Sequence, residues 1–218
     1  MSHNTTDSNK KAVLYFDVIS PWACLMDHAL RVDPLPIFLE YRPVLFAGLL
    51  NTFGHKGPAE IESKRIFTYE LCTWTGQAME LPFVMPAVHP FKPLNYLRLI
   101  VGLGATPQVV SAVFDQLYTT GCNPDTNEAW QALLERLNIT EAKATALIET
   151  PAHKEGLKEN TVQAAQNGVF GVPTIVVDGK LFWGLDSLPM LRAHLKGDPS
   201  LSSTAMTATR KVEFGVKR

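Results

Sequence analysis

The sequence predicts an α/β fold in which a block of helices interrupts a small, partly parallel sheet. Three observations support this prediction: an almost wholly apolar, β-prone run at 12–19, helical patterning from 45 to 167, and strand-like patterning again at 172–184. A run that is apolar throughout suits a strand buried on both faces. The expected order is therefore strand, helix and strand, then a helical block, then two strands and a helix.

The first part of this order is a βαβ unit. The apolar run ends at Ser20 and Pro21, and a serine N-cap followed by proline at the first helical position is a strong helix start. The helix runs to Val32, and residues 36–43 alternate well enough to form a second strand that ends at a proline. Strand, helix and strand at this spacing predict two parallel strands.

The helical block is rich in Ala, Leu, Gln and Glu, and its breaks fall at Pro, Gly and Asn. One stretch, 81–93, holds four prolines and cannot form a regular helix, so we expect a rigid, extended connection whose apolar residues line an adjoining surface. The predicted helices span 59–79, 93–104, 106–120, 126–138, 140–149 and 151–167.

The last part of the order is a hairpin followed by a helix. The runs TIVV and KLFW flank Asp178 and Gly179, a dipeptide that is preferred in a type I′ hairpin turn. A helix is expected at about 186–196.

These elements predict two domains. Residues 12–44 and 168–196 form the domain that contains the sheet, and 45–167 form an inserted helical domain, whose last helix is open to assignment to either. Residues 1–11 and 197–218 are expected to be tails.

The composition is that of an ordinary soluble globular protein. The 218 residues are 46% hydrophobic and 19% charged, with a net charge of −1, so neither nucleic acid nor an anionic membrane is expected as a partner. No run approaches the roughly 20 apolar residues that span a bilayer, and the polar first eleven residues do not resemble a secretory signal. Three cysteines without a CxxC motif favour the reducing cytoplasm over a disulfide framework.

Two features of the predicted sheet are candidates for chemistry. Ser20 begins a helix directly after a buried parallel strand, where ligands bind α/β sheets and where helix dipoles favour an anion such as a thiolate. Its alternative interpretation is a plain N-cap. Pro173 begins a strand, and a cis Val172–Pro173 bond would turn the Val172 backbone outward to pair with an extended peptide. The alternative there is an ordinary strand start.

Together these two features match the layout of the thioredoxin fold, interrupted by a helical domain as in the disulfide oxidoreductase DsbA. The redox motif of that fold is absent, because positions 20–23 read Ser-Pro-Trp-Ala. Cys24 lies one position late and is better interpreted as a small buried hydrophobic residue. Without two thiols in register, the usual dithiol–disulfide cycle is disfavoured.

Six segments of the chain resemble the 2-hydroxychromene-2-carboxylate isomerases, which belong with the kappa-class glutathione transferases in the wider DsbA-like group. The resemblance covers roughly residues 12–195. The segments are FDVISPWACL (16–25), RPVL (42–45), KGPAEIESKR (56–65), PAVHPFKPLNYLR (86–98), GVFGVPT (168–174) and LFWGLDSLPML (181–191).

The resemblance implies a glutathione site and a role for each matching residue. Ser20 matches the catalytic serine that hydrogen-bonds the sulfur, and Asp186 matches the position that meets the γ-glutamyl end. Lys64 falls where a basic residue holds a carboxylate. Two departures weaken the match: His55 replaces the usual asparagine, and Ser187 replaces the usual arginine and so removes a charge. The remaining members of the implied site are Pro21 and Trp22 beside the serine, and Val172 with Pro173, whose backbone pairs with the cysteinyl part.

The resemblance also implies a function. It implies a cytoplasmic homodimer that uses glutathione as a cofactor to interconvert 2-hydroxychromene-2-carboxylate and trans-o-hydroxybenzylidenepyruvate in aromatic hydrocarbon catabolism. The alternatives are a kappa-type glutathione transferase or peroxidase, and a glutathione-binding protein without catalytic activity.

The small aromatic carboxylate substrate of such an isomerase needs an apolar wall and a cation. The histidines show no ligand-like spacing, so no metal site is expected. The candidates for the wall are Trp22, Phe53, Phe91 and Trp183, each of which has core packing as its alternative, and the candidates for the cation are Lys56, Lys64 and Arg65.

Overall fold

The strands of the computed structural model, which describes residues 11–215, form one four-stranded sheet. The strands are β1 (Lys11–Phe16), β2 (Phe38–Pro43), β3 (Thr174–Val177) and β4 (Lys180–Trp183), in the order β2-β1-β3-β4. β1 pairs with β2 in parallel, whereas β3 is antiparallel to both β1 and β4. The predicted parallel pair and the predicted hairpin are both confirmed.

Helix α1 (Pro21–Val32) connects the two parallel strands and begins as the sequence predicts. Ser20 is its N-cap, and the serine side chain accepts a hydrogen bond from the Ala23 N–H at 3.3 Å. The prediction that the first strand extends to residue 19 was wrong, because β1 ends at Phe16. Residues 17–20 instead form a loop whose backbone groups bond to side chains from other parts of the chain.

The remaining helices surround the sheet. Three helices begin at threonine N-caps whose side chains accept a capping hydrogen bond, at residues 106, 126 and 140, which agrees with the predicted starts. The helices are α2 (Phe46–Phe53), α3 (Glu62–Ala78), α4 (Leu94–Gly102), α5 (Pro107–Tyr118), α6 (Asn127–Leu137), α7 (Glu141–Glu149), α8 (Pro151–Gln166), α9 (Leu188–Leu195) and α10 (Thr204–Thr209), with 3₁₀ turns at Pro58–Glu60, Leu185–Ser187 and Pro199–Ser202. Among residues 11–215, no helix is long and apolar enough to cross a membrane.

Helices α2 and α10 are absent from the sequence prediction. α2 has no local start signal, because its N-cap is Leu45, whose side chain makes no capping bond. Its first N–H groups are satisfied from distant parts of the chain: Leu45 N–H donates to Thr161 Oγ1 at 2.9 Å, and Phe46 N–H donates to Asp17 Oδ2 at 2.8 Å. Tertiary contacts therefore define where α2 begins.

The hairpin and the proline-rich segment follow their predictions closely. Asp178 and Gly179 have φ values of 51° and 70°, the positive values that a type I′ turn requires at both central positions. The segment 81–93 has no regular secondary structure and runs beside the end of α5, where Val84 N–H donates to the Tyr118 carbonyl at 2.7 Å. This segment also contains a cis His89–Pro90 bond.

Two apolar clusters cover the two faces of the sheet. The larger one joins the sheet to the helical block, since Phe16, Leu25 and Phe114 are all buried in it. The smaller one lies on the other face, where Ala164 of α8 is buried with Tyr15 of β1. This packing favours assigning α8 to the domain that contains the sheet, and the division into two domains stays a prediction.

The carboxyl group of Asp17 ties the end of β1 to the start of α2. Its Oδ1 accepts from the Ile19 N–H at 3.0 Å, and its Oδ2 accepts from the Phe46 N–H at 2.8 Å. The side chain is almost completely buried, and this burial raises its pKa from the ordinary value of 3.8 to about 7, against the lowering effect of the two backbone bonds.

Gly76 allows α3 to lie directly against the proline-rich segment. A Cβ atom on Gly76 would lie 2.4 Å from Phe83 Cβ and 2.9 Å from Phe83 Cγ, so any side chain there must displace one of the two elements. This close approach sets the distance between α3 and residues 81–93, and both line the cavity described below.

We predict that Gly76→Ala lowers the free energy of unfolding by roughly 1–3 kcal/mol because it overpacks this contact. Gly156→Ala on α8 is the matched control, since the nearest atom to its added Cβ is Val101 Cγ1 at an ordinary 3.7 Å. The control is expected to stabilise the helix by up to about 1 kcal/mol. Urea denaturation of both variants tests this, and equal stability of the two would contradict the packing argument.

We also predict that Asp17 makes the folded state less stable as the pH rises. The carboxyl group ionises at about 3.8 in the unfolded chain and at about 7 in the folded one, so between these values ionisation favours unfolding. The stability of the wild type relative to Asp17→Asn should therefore fall by a few kcal/mol from about pH 4 to about pH 7. Urea denaturation across this range measures the difference, and a difference independent of pH would show that Asp17 ionises normally.

Candidate functional site

The loop 17–20 presents Ser20, and partners on several elements hold its backbone. Ser20 N–H donates to the Asp17 carbonyl at 3.0 Å within the loop, and Ile19 N–H donates to the Asp17 carboxylate. The Val18 carbonyl accepts from the Tyr118 hydroxyl of α5 at 3.0 Å. The loop is therefore fixed against both α2 and α5.

A histidine from the proline-rich segment holds the remaining carbonyl of the loop. His89 Nε2 lies 2.7 Å from the Ile19 carbonyl oxygen, and Nδ1 lies 2.6 Å from the Tyr69 hydroxyl. Because a carbonyl can only accept, Nε2 carries the proton and donates it. Burial lowers the pKa of His89, which favours the neutral ring in which Nδ1 is an acceptor.

Ser20 lies where the loop meets the start of β3. It is 8% exposed, and its Oγ lies 3.4 Å from the Val172 carbonyl, to which it donates. A separation of 3.4 Å is at the long end for an O–H···O hydrogen bond, so a better-placed acceptor can replace the Val172 carbonyl. The serine hydroxyl is thus held at the N-terminus of α1 by weak, exchangeable bonds.

Val172 stands before Pro173, and the bond between them is cis. Within the described residues 11–215, the Val172 N–H has no hydrogen-bond partner, and its carbonyl accepts only from Ser20. Strand pairing begins two residues later, where Thr174 lies opposite Tyr15. The Val172 backbone is therefore available to an extended ligand.

A cavity of about 1300 Å³ opens beside Ser20. Ligand pockets usually have volumes of roughly 300–1,000 Å³, so this cavity has room for two small molecules side by side. Most of its lining is apolar. Beside the sheet, the cavity is lined by parts of 17–22 and by 170–173 and 183–186. From the helical block it is lined by parts of 45–75 and by 89–95.

The cavity brings together all the site residues implied by the resemblance except one. Ser187 is the exception: it does not line the cavity, and its hydroxyl donates to the Gly184 carbonyl at 2.8 Å. The expectation that Ser187 contacts the ligand stays a prediction, and in this structure its short side chain closes the turn before α9. The residues that do line the cavity are Ser20, Pro21, Trp22, His55, Lys64, Val172, Pro173 and Asp186.

The residues expected to contact an aromatic carboxylate also line this cavity, with one exception. Trp22, Phe91 and Trp183 are part of the wall, whereas Phe53 ends α2 and is not among the lining residues. The expectation for Phe53 is corrected for this reason. The cationic side chains that line the cavity are Lys56, Lys64, Arg65 and Lys92, and the acidic ones are Asp17, Glu60 and Asp186.

Sequence reasoning missed three residues of the site: Asp17, Tyr69 and His89. Asp17 could have been noticed in the sequence, because it is the one charged residue in the otherwise apolar run 12–19. His89 and its flanking prolines were quoted only as part of a motif, and Tyr69 is one of many aromatic residues on a helix. Their roles come from contacts over 29, 70 and 20 residues of sequence, which no local pattern reveals.

The cysteine nearest the serine is sequestered. Cys24 is completely buried, and burial raises the pKa of its thiol well above the ordinary value. It therefore packs as a small hydrophobic residue, as the sequence predicts. Among the described residues, no group of three or more His, Cys, Asp and Glu side chains is placed to hold a metal ion.

Comparisons with known proteins identify relatives of this chain. The chain is 27% identical to a 2-hydroxychromene-2-carboxylate isomerase of Sphingobium xenophagum over 83% of this chain and 95% of the relative. It is 29% identical to glutathione S-transferase kappa 1 of Rattus norvegicus over 85% of this chain and 90% of the relative. These relatives confirm the resemblance.

Solved structures agree on the fold. A structure of 2-hydroxychromene-2-carboxylate isomerase superposes with a TM-score of 0.74 at 22% identity, and the match covers 88% of this chain and all of the other. The cytosolic disulfide reductase DsbM of Pseudomonas aeruginosa superposes with a TM-score of 0.58 at 14% identity, over 88% of this chain and 99% of the other. Residues 12–196 match the family described as the DsbA-like thioredoxin domain. The chain belongs to this DsbA-like thioredoxin family.

Proposed function

We propose that this protein is a glutathione-dependent isomerase that interconverts 2-hydroxychromene-2-carboxylate and trans-o-hydroxybenzylidenepyruvate. The observation that carries the proposal is the position of Ser20. Its hydroxyl lies at the N-terminus of α1, beside an available Val172 backbone, on the wall of a cavity of about 1300 Å³. The name of the kappa relatives supports glutathione as the ligand, and the name of the isomerases supports the reaction.

The residues of the cavity fit glutathione as a ligand. Glutathione is a tripeptide whose thiol needs a hydroxyl or a helix N-terminus and whose ammonium group needs an acid. Its two carboxylates need at least one cation, and its extended backbone needs a free strand edge. Ser20 and α1 provide the first, Asp186 the acid, Lys64 the cation and the Val172 backbone the edge. His55 also lines the cavity. Each requirement is met by a residue that faces the same space.

The chain favours the reactive form of the thiol. A free thiol of this kind has a pKa of roughly 8.5, so only a small fraction is ionised near neutral pH. The Ser20 hydroxyl can turn from the Val172 carbonyl and donate to the sulfur, and the positive end of the α1 dipole adds to this stabilisation. Both effects favour the thiolate, and Ser20 itself does not attack the substrate.

When bound, glutathione supplies a thiolate that adds reversibly to the alkene conjugated with the α-keto acid, which allows rotation about the former double bond. The chain orients and encloses the substrate for this reaction. Trp22 and Phe91 offer an apolar wall for the aromatic ring, and Lys56 or Arg65 offers a cation for the carboxylate. The apolar lining also excludes water from the reacting atoms.

A kappa-type glutathione transferase or peroxidase is the second candidate function. The observation that favours it is the 29% identity to the rat kappa enzyme, over 85% of this chain. The two functions differ in whether glutathione is consumed. Unchanged glutathione during turnover of the chromene favours the isomerase, whereas loss of glutathione with an electrophile or peroxide favours the transferase. Binding without any turnover favours the non-catalytic alternative.

The setting proposed with the isomerase is a cytoplasmic role in aromatic hydrocarbon catabolism, as a homodimer. The large apolar side chains that α3 leaves exposed, Ile66, Phe67 and Trp74, are available to a subunit interface. Light scattering of the purified chain distinguishes a dimer from a monomer.

We predict that Ser20→Ala lowers kcat/KM for isomerisation roughly a hundredfold, because a hydrogen bond to the developing thiolate is lost. The variant should also lose about 1 kcal/mol of stability, since the N-cap is removed. Steady-state kinetics with the chromene and glutathione measure the first effect, and urea denaturation measures the second.

Thr126→Ala is the control for the loss of stability. Thr126 caps α6 by accepting a 3.3 Å hydrogen bond from the Ala129 N–H, and the capping bond to Ser20 has the same length. Thr126 lies outside the cavity. The control variant should lose similar stability and keep its activity. Full isomerase activity in Ser20→Ala would refute the proposed role of the serine.

A further inference from the structure

The peptide unit between Ile19 and Ser20 is held at both of its ends. Its N–H donates to the Asp17 carbonyl at 3.0 Å, and its carbonyl accepts from His89 Nε2 at 2.7 Å. A peptide unit is planar, so two such bonds fix its orientation. The orientation of this plane determines where the Cα atom of Ser20, and therefore its hydroxyl, lies relative to the cavity.

The Ile19 carbonyl requires the proton of His89 on Nε2, and the Tyr69 hydroxyl fits the same tautomer. The Tyr69 hydroxyl lies 2.6 Å from Nδ1, and it also lies 3.0 Å from the His89 carbonyl. A neutral imidazole that accepts at Nδ1 must donate at Nε2, which is the nitrogen facing Ile19. The tyrosine on α3 thus supports the tautomer that the Ile19 carbonyl requires.

Packing fixes the plane of the imidazole ring. The Tyr69 ring meets the His89 ring edge to face, with centroids 5.1 Å apart and an interplanar angle of 89°. Phe91 meets it from another direction, at 5.9 Å and 74°. His89 lies in the cavity wall, and both of its ring nitrogens are bonded to the protein.

We propose that His89 is a positioning residue for Ser20, with Tyr69 supporting the tautomer that donates to Ile19, so that the serine hydroxyl is aimed at the sulfur of the bound thiol. The inference rests on the proposed glutathione chemistry of this site. His89 acts through the backbone of Ile19 and does not touch the reacting atoms. Its contribution is to the direction of a hydrogen bond, so it should affect the ionisation of the thiol more than the binding of glutathione.

The test measures the pKa of the glutathione thiol in the complex, from the ultraviolet absorbance of the thiolate, together with glutathione affinity by calorimetry. His89→Leu removes the donor and should raise the thiol pKa by about one unit, a tenfold smaller thiolate fraction below the pKa. His89→Gln keeps a donor at the corresponding position and should recover most of this shift. Glutathione affinity should change less than about threefold in both.

Tyr69→Phe tests the tautomer separately. Without the hydroxyl, Nδ1 has no donor, so the thiol pKa should rise by an amount between those of the glutamine and leucine variants. Nitrogen NMR of the wild type should show His89 protonated at Nε2 and bare at Nδ1. If His89→Leu fails to fold, the glutamine and phenylalanine variants and the NMR signature decide the question.

His28→Leu is the matched control. His28 also bonds to a backbone carbonyl through Nε2, that of Met79 at 3.1 Å, and it does not line the cavity. This variant should leave the thiol pKa unchanged. If the thiol pKa shifted equally in His28→Leu and His89→Leu, general destabilisation would explain both shifts and the inference would be overturned.

Two failures are distinguishable. If the wild type lowers the thiol pKa, Ser20→Ala raises it and His89→Leu does not, the positioning role is wrong and the proposed function stands. If the wild type neither binds glutathione nor lowers the pKa of its thiol, the proposed function is wrong and the inference is overturned with it.

Discussion

The end of β1 imposes the constraint on which the rest of the site depends. Ser20 is useful only if the chain leaves the sheet at Phe16 and enters α1 at Pro21, and the short loop between them cannot form sheet or helix bonds of its own. Buried backbone groups that lack such bonds must find partners elsewhere. Here they find Asp17 within the loop and Tyr118 and His89 outside it, so the position of one hydroxyl depends on two distant parts of the chain as well as on the loop itself.

This constraint explains why the helical block matters to a site whose central residues lie in the sheet domain. The sheet supplies Ser20 and the Val172 backbone, but these groups alone form only an open edge. The helical block supplies the side that encloses the ligand, with Lys64 and Tyr69 on α3 and His89 on the proline-rich segment. Close packing of α3 against residues 81–93 holds these groups in register.

Much of the fold could be predicted from the sequence, because its signals are local. The apolar run, the serine cap and the Asp178-Gly179 turn each report on neighbouring residues. Helix α2 could not be predicted, because its N-terminus is satisfied by Asp17 from 29 residues away. The same distinction applies to the site: the motifs located Ser20 and Val172, whereas the contact from His89 to Ile19 exists only after the chain has folded. Ser187 occupies a motif position, yet its hydroxyl bonds to the Gly184 carbonyl and the residue does not line the cavity.

The central claim is that Ser20 donates a hydrogen bond to the sulfur of bound glutathione. A crystal structure of the wild-type protein with glutathione tests this claim directly. The account predicts that the sulfur lies within hydrogen-bonding distance of Ser20 Oγ, that the cysteinyl backbone pairs with Val172, and that the 3.4 Å contact from Ser20 to the Val172 carbonyl is released. A complex in which Ser20 still bonds to the Val172 carbonyl, with the sulfur bound elsewhere in the cavity, would contradict it.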